Sequence, residues 1–380
     1  MMKVDAIGLY VHVPFCLSKC SYCDFCSYAG CDEQIVNDYV DALIREIRSY
    51  KQEPMIRVDT IFFGGGTPSL LDGEQLFKLT EAIRECFDIS SLREFTVEVN
   101  PKTVTREKLL SYKSAGVDRL SIGLQSIHEN ELKILGRVHN YSDFLFAYNL
   151  ARDCGFDNIN VDLIYGIPSQ TKDSFISSLK KVASLGCQHL SLYSLILEEN
   201  TPLYRMKDQY LFPSDDEVVD IYESANKMLS EFGFEHYEIS NYSLASMECK
   251  HNLKYWTDCE YIGIGIAAHS YFSSSRYSNE GEKDSANFLN DYINKKCFCR
   301  SYVTEDINDH AFEYVMLHLR LSKGLDLKKF KCKFGYDFYK GREELLTKYS
   351  SLGLLEASYD NIRLTEGGMY LSNAILAELL

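Results

Sequence analysis

The sequence predicts an α/β fold: a partial (β/α)6, TIM-like barrel followed by a small helical, winged-helix-like C-terminal domain. Apolar, β-branched runs alternate with segments of helical periodicity through roughly the first 235 residues. The runs are nearly continuous in apolar residues, which is typical of a parallel sheet covered by helices. Six units fall short of the eight of a closed barrel, so a partial barrel is favoured, with a doubly wound sheet as the alternative.

Local signals mark several of the strand–helix units. The predicted strands span residues 7–13, 58–63, 94–99, 119–123, 158–164 and 189–195. The predicted helices span residues 34–50, 74–87, 105–114, 142–153, 171–185 and 215–232. Ser214 and Glu217 have the spacing of a capping box, and Asp72 and Ser142 suit the N-cap of a helix.

The pattern changes after the sixth unit. The prediction divides the chain into a barrel (1–235), a connecting region (236–300) and a C-terminal domain (301–380). In the last part, residues 311–319 predict an amphipathic helix, residues 353–357 and 361–365 predict two short strands, and a helix is expected from Glu366. Helices with a terminal hairpin suggest a winged-helix-like domain.

Composition and charge exclude several classes of protein. The net charge of −15, with no long Lys/Arg block in the sequence, argues against nonspecific binding to nucleic acid. The sequence shows no signal-peptide pattern, and no apolar run approaches the roughly 18–20 residues that span a bilayer. The 13 cysteines are mostly scattered, as in a protein with reduced thiols. We therefore expect a cytoplasmic protein with no transmembrane segment and no nucleic-acid partner.

Three cysteines follow the first predicted strand with the spacing C-x3-C-x2-C, namely Cys16, Cys20 and Cys23. Three thiolates on one loop can hold an iron–sulfur cluster through three of its irons, and a four-iron cluster then keeps one iron open to a ligand. A tetrahedral zinc site, with His12 or Cys26 as fourth ligand, is the alternative. The spacing alone favours the iron–sulfur cluster only modestly.

Polar residues or glycines also stand at the ends of the other five strands. They are residues 64–66 (Gly-Gly-Gly) with Thr67, Glu98 with Asn100, Gln125 with Ser126, Asp162, and the segment 193–198. Because the carboxyl ends of parallel strands meet at one mouth, we expect these residues to converge there. A structural zinc site needs no such surroundings, so the convergence favours the cluster.

Two of these features have structural alternatives. The glycines lack the Lys and Ser/Thr of a phosphate-binding P-loop, so they form either a tight turn or a backbone that a ligand approaches closely. Their place beside the cysteine loop favours the ligand. Glu98 and Asp162 end apolar strands, which favours a ligand hydroxyl or amine as their partner over a structural ion pair with Arg119 or Arg137.

One histidine stands among aromatic residues in the segment His251-Asn-Leu-Lys-Tyr-Trp256. A metal or haem ligand between aromatic walls is one interpretation. A packed, hydrogen-bonded histidine is the other, and spacing alone favours it.

Six motifs of the chain together match one pattern. They are residues 10–23, Phe63-Gly-Gly-Gly-Thr-Pro-Ser69, Glu98-Val-Asn-Pro101, Ser121-Ile-Gly-Leu-Gln-Ser126, Leu135-Gly-Arg137 and Asp162-Leu-Ile-Tyr-Gly-Ile-Pro168. This set resembles the radical S-adenosylmethionine (SAM) enzymes of the coproporphyrinogen dehydrogenase group, whose cluster motif is C-x3-C-x2-C. The likeness continues through residues 237–242 and 251–256, so it covers nearly the whole chain.

The resemblance implies a set of ligands and the residues that hold them. Cys16, Cys20 and Cys23 would hold a [4Fe–4S] cluster whose open iron is chelated by the amino and carboxylate groups of SAM. The SAM pocket would comprise Tyr10, Tyr22, Gly65, Gly66, Thr67, Glu98, Gln125, Arg137 and Asp162. In the radical enzymes, an electron that a donor supplies through the cluster cleaves SAM to a 5′-deoxyadenosyl radical.

Within that group, the chain resembles the haem-binding chaperones more than the dehydrogenase. The sequence begins at the cluster strand, and Phe25 stands where the dehydrogenase has a further cysteine. The segment 251–256 resembles the motif tied to haem binding in the chaperones, whereas Cys26 and Ala267 depart from the usual Asn and Gly. The resemblance implies a protein that binds haem, with His251 as a haem-binding residue, and transfers it to an acceptor protein. The alternative is oxygen-independent oxidation of coproporphyrinogen III or another radical reaction.

Overall fold

The computed structural model describes residues 6–279, 286–298, 303–304 and 306–380. The strands in these residues are β1 (Ile7–Val13), β2 (Phe15–Cys16), β3 (Tyr28–Ala29), β4 (Ile56–Gly65), β5 (Phe87–Asp88), β6 (Glu94–Val99), β7 (Arg119–Gln125), β8 (Asn158–Tyr165), β9 (His189–Ser194), β10 (Glu235–Glu238), β11 (Asn241–Ser243), β12 (Tyr261–Ile264), β13 (His269–Phe272), β14 (Ser275–Ser278), β15 (Val303–Thr304), β16 (Leu325–Asp326), β17 (Leu355–Ala357) and β18 (Asn361–Leu364).

The α-helices of the same residues alternate with the strands in the first part of the chain and dominate the last. They are α1 (Glu33–Arg48), α2 (Gly73–Cys86), α3 (Arg106–Ala115), α4 (Glu129–Ile134), α5 (Tyr141–Asp153), α6 (Lys172–Ala183), α7 (Pro202–Arg205), α8 (Asp215–Glu231), α9 (Lys250–Trp256), α10 (Ala286–Asn294), α11 (Ile307–Leu319), α12 (Leu327–Phe334), α13 (Glu343–Ser351), α14 (Glu366–Tyr370) and α15 (Ser372–Leu379). Within the described ranges, no helix has both the length and the apolar character needed to cross a membrane.

The six predicted strand–helix units are confirmed, with every strand and helix end within two residues of its predicted position. Ser214 and Asp72 are N-caps in capping boxes, as predicted. The predicted N-cap at Ser142 is wrong, because α5 begins one residue earlier and Asn140 caps it. Asn140 and Asp143 form a reciprocal capping box, which satisfies two backbone N–H groups at once.

The barrel strands form a parallel array in the order β9-β8-β7-β6-β4-β1, so the predicted partial barrel is confirmed. The sheet continues at both edges: β10 and β11 extend it beyond β9, and β12, β13, β14 and β15 extend it beyond β1. The region predicted as a connection, residues 236–300, therefore contributes strands to both edges of the barrel sheet. The three-part division of the chain stays a prediction.

The two faces of the sheet differ in polarity. On β7, Leu120, Ile122 and Leu124 are fully buried in the core between the sheet and its helices. The alternate residues of the same strand, including Arg119 and Ser121, face a cavity on the concave side. The strands of this sheet therefore alternate between apolar residues that face the core and polar residues that face the cavity.

The C-terminal residues have a hydrophobic core of their own, built from α11 to α15 and a three-stranded sheet. The predicted hairpin is present as β17 and β18, and β16 pairs with β18 as a third strand. Backbone contacts join this part to the barrel sheet, since Ser322 N donates to Tyr237 O at 3.1 Å. The predicted boundary at residue 300 lies outside the described residues.

Candidate cofactor-binding site

The concave face of the barrel surrounds a cavity of about 980 Å³ at the carboxyl ends of the parallel strands. Every residue predicted for the cluster or for SAM lines it: Tyr10, Cys16, Cys20, Tyr22, Cys23, Gly65, Gly66, Thr67, Glu98, Gln125, Arg137 and Asp162. His251 does not line it, although Asn252 and Tyr255 of the same motif do. The fold therefore brings the predicted strand-end residues together around one space.

The cysteine loop is anchored to two other segments of the chain. Ser21 N donates to Leu135 O at 3.0 Å, and the Ser21 hydroxyl donates to Ile134 O at 2.7 Å. From the opposite side, Leu203 N donates to Ser21 O at 2.8 Å. These bonds hold the loop at the cavity mouth, where all three cysteines are partly exposed.

Two of the cysteine sulfurs accept hydrogen bonds from residues of the SAM set. Thr67 Oγ1 donates to Cys16 Sγ at 3.5 Å, and Arg137 Nη1 donates to Cys20 Sγ at 3.3 Å. Burial raises the pKa of Cys16, and it raises that of Cys23 to about 11. Thiolate is the form that binds iron, so metal binding must displace these protons, and the donors to sulfur favour that change.

The zinc alternative required His12 or Cys26 as a fourth ligand. His12 Nε2 donates to the Cys26 carbonyl oxygen at 2.9 Å, and Tyr10 Oη donates to His12 Nδ1 at 3.0 Å. Both ring nitrogens are therefore engaged, and the Cys26 side chain is buried in the main core. Among the described residues, no group of three or more His, Cys, Asp or Glu side chains is arranged around a single metal ion.

The glycine turn packs against β1 and β2, and this packing leaves no room for side chains on the glycines. Gly65 has φ +107°, and a Cβ there would lie 2.3 Å from the ring of His12. A Cβ at Gly66 would lie 2.8 Å from the carbonyl oxygens of Phe15 and Val13. Glycine is required here for close packing as well as for access to the cavity.

The two predicted carboxylates are buried beside the cavity. Glu98 accepts a hydrogen bond from Gly65 N at 3.1 Å, and burial, followed by the nearby Asp162, raises the pKa of Glu98 to about 8. Asp162 accepts hydrogen bonds from Asn160 Nδ2 at 2.8 Å and from Ser121 Oγ at 3.3 Å. Burial also raises the pKa of Asp162. Carboxyl groups with a raised pKa in a cavity are typical of a ligand-binding site.

The alternative of a structural ion pair is not found in this part of the structure. Arg119 is 2% exposed, and no carboxylate of the described residues lies within 4.0 Å of its guanidinium nitrogens. Its closest side-chain hydrogen bond, to Thr96 Oγ1, is 3.5 Å long. Arg137 instead donates to Cys20 Sγ and to Gly123 O. Glu98 and Asp162 are thus available to a ligand.

Buried polar atoms without partners test whether a polar ligand fits the cavity. Gln125 Oε1, Arg137 Nε and Arg119 Nε are buried, and none has a hydrogen-bond partner among the described residues. Buried polar groups are nearly always paired in folded proteins, so unpaired donors and acceptors together indicate a polar ligand. SAM carries an ammonium, a carboxylate, hydroxyls and an adenine ring, and the residues present fit it.

The histidine of the HNLKYW segment is enclosed at the other end of the barrel interior. His251 is 1% exposed, and its ring nitrogens are hydrogen-bonded to Thr60 Oγ1 at 2.9 Å and to Tyr255 Oη at 2.8 Å. Burial, followed by the charges of Lys254 and Arg119, lowers the pKa of His251 to about 3. The ring is therefore neutral, and both nitrogens are occupied in this conformation.

The helix that carries this histidine is fixed by a buried carboxylate. Glu94 accepts hydrogen bonds from Lys250 N at 2.9 Å and from His251 N at 3.0 Å, and Cys249 Sγ donates to it at 3.3 Å. A carboxylate at a helix N-terminus satisfies free N–H groups and interacts favourably with the helix dipole. Glu94 was not among the predicted site residues.

Further residues of the cavity were also missed from the sequence. They share one feature, a position two, four or six residues before a predicted strand-end residue, and they are Arg119, Ser121, Asn160 and Ser191. Period-two alternation of polar and apolar residues was the signal that could have found them. It indicates a strand with one face toward the core and the other toward a polar space.

These features define a class of protein: a partial barrel in which a loop with three cysteines faces a polar cavity that suits a nucleoside ligand. Residues 10–182 match the radical SAM superfamily, and residues 306–371 match the HemN C-terminal domain. The chain is 36% identical over 376 residues to heme chaperone HemW of Bacillus subtilis, which covers 98% of both chains. It is 39% identical over 272 residues to HemW of Escherichia coli, which covers 71% of each.

The structural comparison agrees with this class. The solved structure of E. coli coproporphyrinogen III oxidase (HemN), a radical SAM enzyme, matches with a TM-score of 0.83 over 98% of this chain and 90% of that one. The two sequences are 24% identical, so this likeness shows the fold. The chain belongs to the HemW family of the radical SAM superfamily. Membership of that superfamily implies a [4Fe–4S] cluster and SAM.

Proposed function

We propose that the protein is a haem chaperone, which binds haem and transfers it to an acceptor protein on a scaffold that holds a [4Fe–4S] cluster and SAM. The observation that carries the proposal is the likeness to heme chaperone HemW of B. subtilis over 98% of both chains. Coproporphyrinogen III oxidase shares the fold, but its sequence is only 24% identical, so this likeness supports the fold and not a shared reaction. The proposal includes a cytoplasmic location and an electron donor for the cluster.

Cys16, Cys20 and Cys23 would hold the cluster in this proposal. When bound, the cluster supplies an electron to SAM. Thr67 and Arg137 donate to two of the cysteine sulfurs and would hold these ligands in place. The same arginine keeps an unpaired Nε for the ligand in the cavity.

The walls of the cavity would bind the rest of SAM. Gly65 and Gly66 bring bare backbone to the cavity edge, where the methionine part of SAM would lie. Glu98 and Asp162 offer carboxyl oxygens to its hydroxyl and amino groups, and Gln125 offers an unpaired amide oxygen. Tyr10 and Tyr22 would enclose the ligand and exclude water.

His251 would act as the haem-binding residue of the segment His251–Trp256, which resembles a haem-binding motif. For Nε2 to bind haem iron, the hydrogen bond to Tyr255 must break and the ring must be uncovered. Burial keeps the ring neutral, which is the form that binds a metal. Haem ligation by His251 therefore requires that the Tyr255 side chain moves away from the ring.

Haem titration of the anaerobically reconstituted protein, with and without SAM, tests the proposal. We expect saturable binding of haem at a fixed stoichiometry, followed by transfer of the haem to apomyoglobin, used as a probe acceptor. A parallel assay with coproporphyrinogen III, SAM and a reductant distinguishes the enzyme. Conversion to protoporphyrinogen, or the absence of saturable haem binding, would overturn the chaperone function.

A further inference from the structure

Two large apolar side chains stand exposed at the mouth of the cavity. Phe25, on the cysteine loop, is 67% exposed, and Ile196, on the loop that follows β9, is 68% exposed. Both line the cavity. We call this pair the apolar rim. Apolar side chains exposed together beside a cavity mark a surface that a ligand or partner covers.

The two loops of the apolar rim are neighbours and are both anchored. Leu195 N donates to Tyr165 O at 2.8 Å, which fixes the start of the second loop at the end of β8. Further along, Leu203 N donates to Ser21 O at 2.8 Å and joins this segment to the cysteine loop. Each loop of the apolar rim is therefore fixed by backbone hydrogen bonds to another segment of the chain.

The surroundings of the rim favour a small flat ligand over a protein surface. Ser18, Lys19, Asp24 and Glu198 line the same cavity, so polar and charged side chains accompany the two apolar ones. A protein interface of standard size buries about 800 Å² on each partner and needs a wider apolar centre. A ligand site, by contrast, is a concave space with apolar walls and a few polar groups.

The proposed function requires haem, which is a flat and largely apolar ligand of this kind. Its macrocycle is flat and apolar, and an aromatic ring and a branched aliphatic chain are suitable contacts for such a face. His251 is 1% exposed with both ring nitrogens hydrogen-bonded, so the haem face cannot rest there in this conformation. The apolar rim is exposed and continuous with the cavity.

We propose that Phe25 and Ile196 form the contact surface for the haem macrocycle at the mouth of the cavity, beside the cluster loop. This inference rests on the proposed function and concerns the face of the macrocycle, whichever residue binds the iron.

The test is haem titration of the reconstituted full chain and of the variants Phe25→Ser and Ile196→Ser. Each substitution should weaken haem binding about tenfold, because it removes the apolar area that the macrocycle covers. Iron, sulfide and SAM content should stay at wild-type values. Phe25→Leu keeps an apolar side chain and should restore most of the affinity.

Phe146→Ser is the matched control, since Phe146 is a phenylalanine on α5 that is 64% exposed and does not line the cavity. It should bind haem as the wild type does. If the wild type binds haem and both rim variants bind it equally well, the rim is overturned while the chaperone function stands. If sedimentation shows self-association that the rim variants abolish with no change in haem affinity, the rim is instead a contact between copies. A wild type that binds no haem overturns both proposals.

Discussion

The hydroxyl of Tyr255 lies 2.8 Å from Nε2 of His251, four residues earlier on the same helix. The other ring nitrogen is 2.9 Å from Thr60 Oγ1, and the ring of Phe62 stacks on the imidazole at 5.3 Å between centroids. A histidine held in this way is closed to a metal until one of its hydrogen bonds breaks. Tyr255, which lines the cavity, separates His251 from that space.

The Tyr255 hydroxyl controls access to His251. Tyr255→Phe removes the bond to Nε2, so we expect retained haem binding with a larger share of the histidine-ligated spectrum. His251→Ala should abolish that spectrum. It should also lower the free energy of unfolding by about 1–3 kcal/mol, since two buried hydroxyls lose their partner. Haem titration followed by absorption, together with urea unfolding, measures both. An unchanged haem affinity and spectrum in His251→Ala would remove His251 from the haem site.

The cysteine loop predicts a sharp difference among its four cysteines. Cys16→Ala, Cys20→Ala and Cys23→Ala should each lose most iron and sulfide after anaerobic reconstitution, because a cluster thiolate is missing. Cys26→Ala is the control and should keep wild-type iron and sulfide, because Cys26 borders the same cavity but lies outside the C-x3-C-x2-C set. Iron and sulfide analysis decides the matter. Loss of the cluster in Cys26→Ala, or zinc without sulfide in the wild type, would contradict the assignment.

Two glycines of positive φ, Gly65 in the glycine turn and Gly155 after α5, should differ in the stability that is lost when each is replaced by alanine. Gly155→Ala, at φ +84° with no atom within 4 Å of the new Cβ, should cost about 1–2 kcal/mol through backbone strain alone. Gly65→Ala, at φ +107° and 2.3 Å from the His12 ring, should cost more and should weaken SAM binding. Denaturant unfolding and SAM titration measure the two effects. Equal losses of stability would show that the turn relaxes freely.

Glu98 predicts a pH dependence of stability in the protein without SAM. Because burial raises its pKa from 4.5 to about 8, folded Glu98 keeps a proton that the unfolded chain releases between these values. The free energy of unfolding therefore falls as pH rises from about 4.5 to 8. Glu98→Gln keeps an acceptor for Gly65 N and removes this dependence.

The Glu98→Gln variant should match the wild type near pH 4.5 and become more stable than it as pH rises toward 8. Urea unfolding of both proteins across this range gives the difference, and groups other than Glu98 contribute equally to both. Parallel curves would show that Glu98 does not titrate with a raised pKa.

The elements of the barrel could be predicted because their signals are local. Ser214 and Asp72 are N-caps as predicted, since a capping box involves residues only three positions apart. The N-cap of α5 was predicted wrongly although its signal is equally local. Both Asn140 and Ser142 could cap this helix, and the reciprocal hydrogen bonds between Asn140 and Asp143 favour Asn140. The continuation of the sheet through β10 to β15 was missed because these strands are short, and because their attachment to the barrel, β11 on β9 and β12 on β1, joins residues far apart in the chain.

The sequence by itself determined the cysteine spacing, the order of strands and helices, and the residues that meet at the strand ends, because these follow from short-range patterns and from the geometry of parallel strands. Only the tertiary structure decided the surroundings of Arg119, which has no carboxylate partner among the described residues, and of His251, which is enclosed by Thr60 and Tyr255. It also decided that Phe25 stands exposed at the cavity mouth. Burial and pairing depend on contacts between residues far apart in the chain, which no local pattern contains.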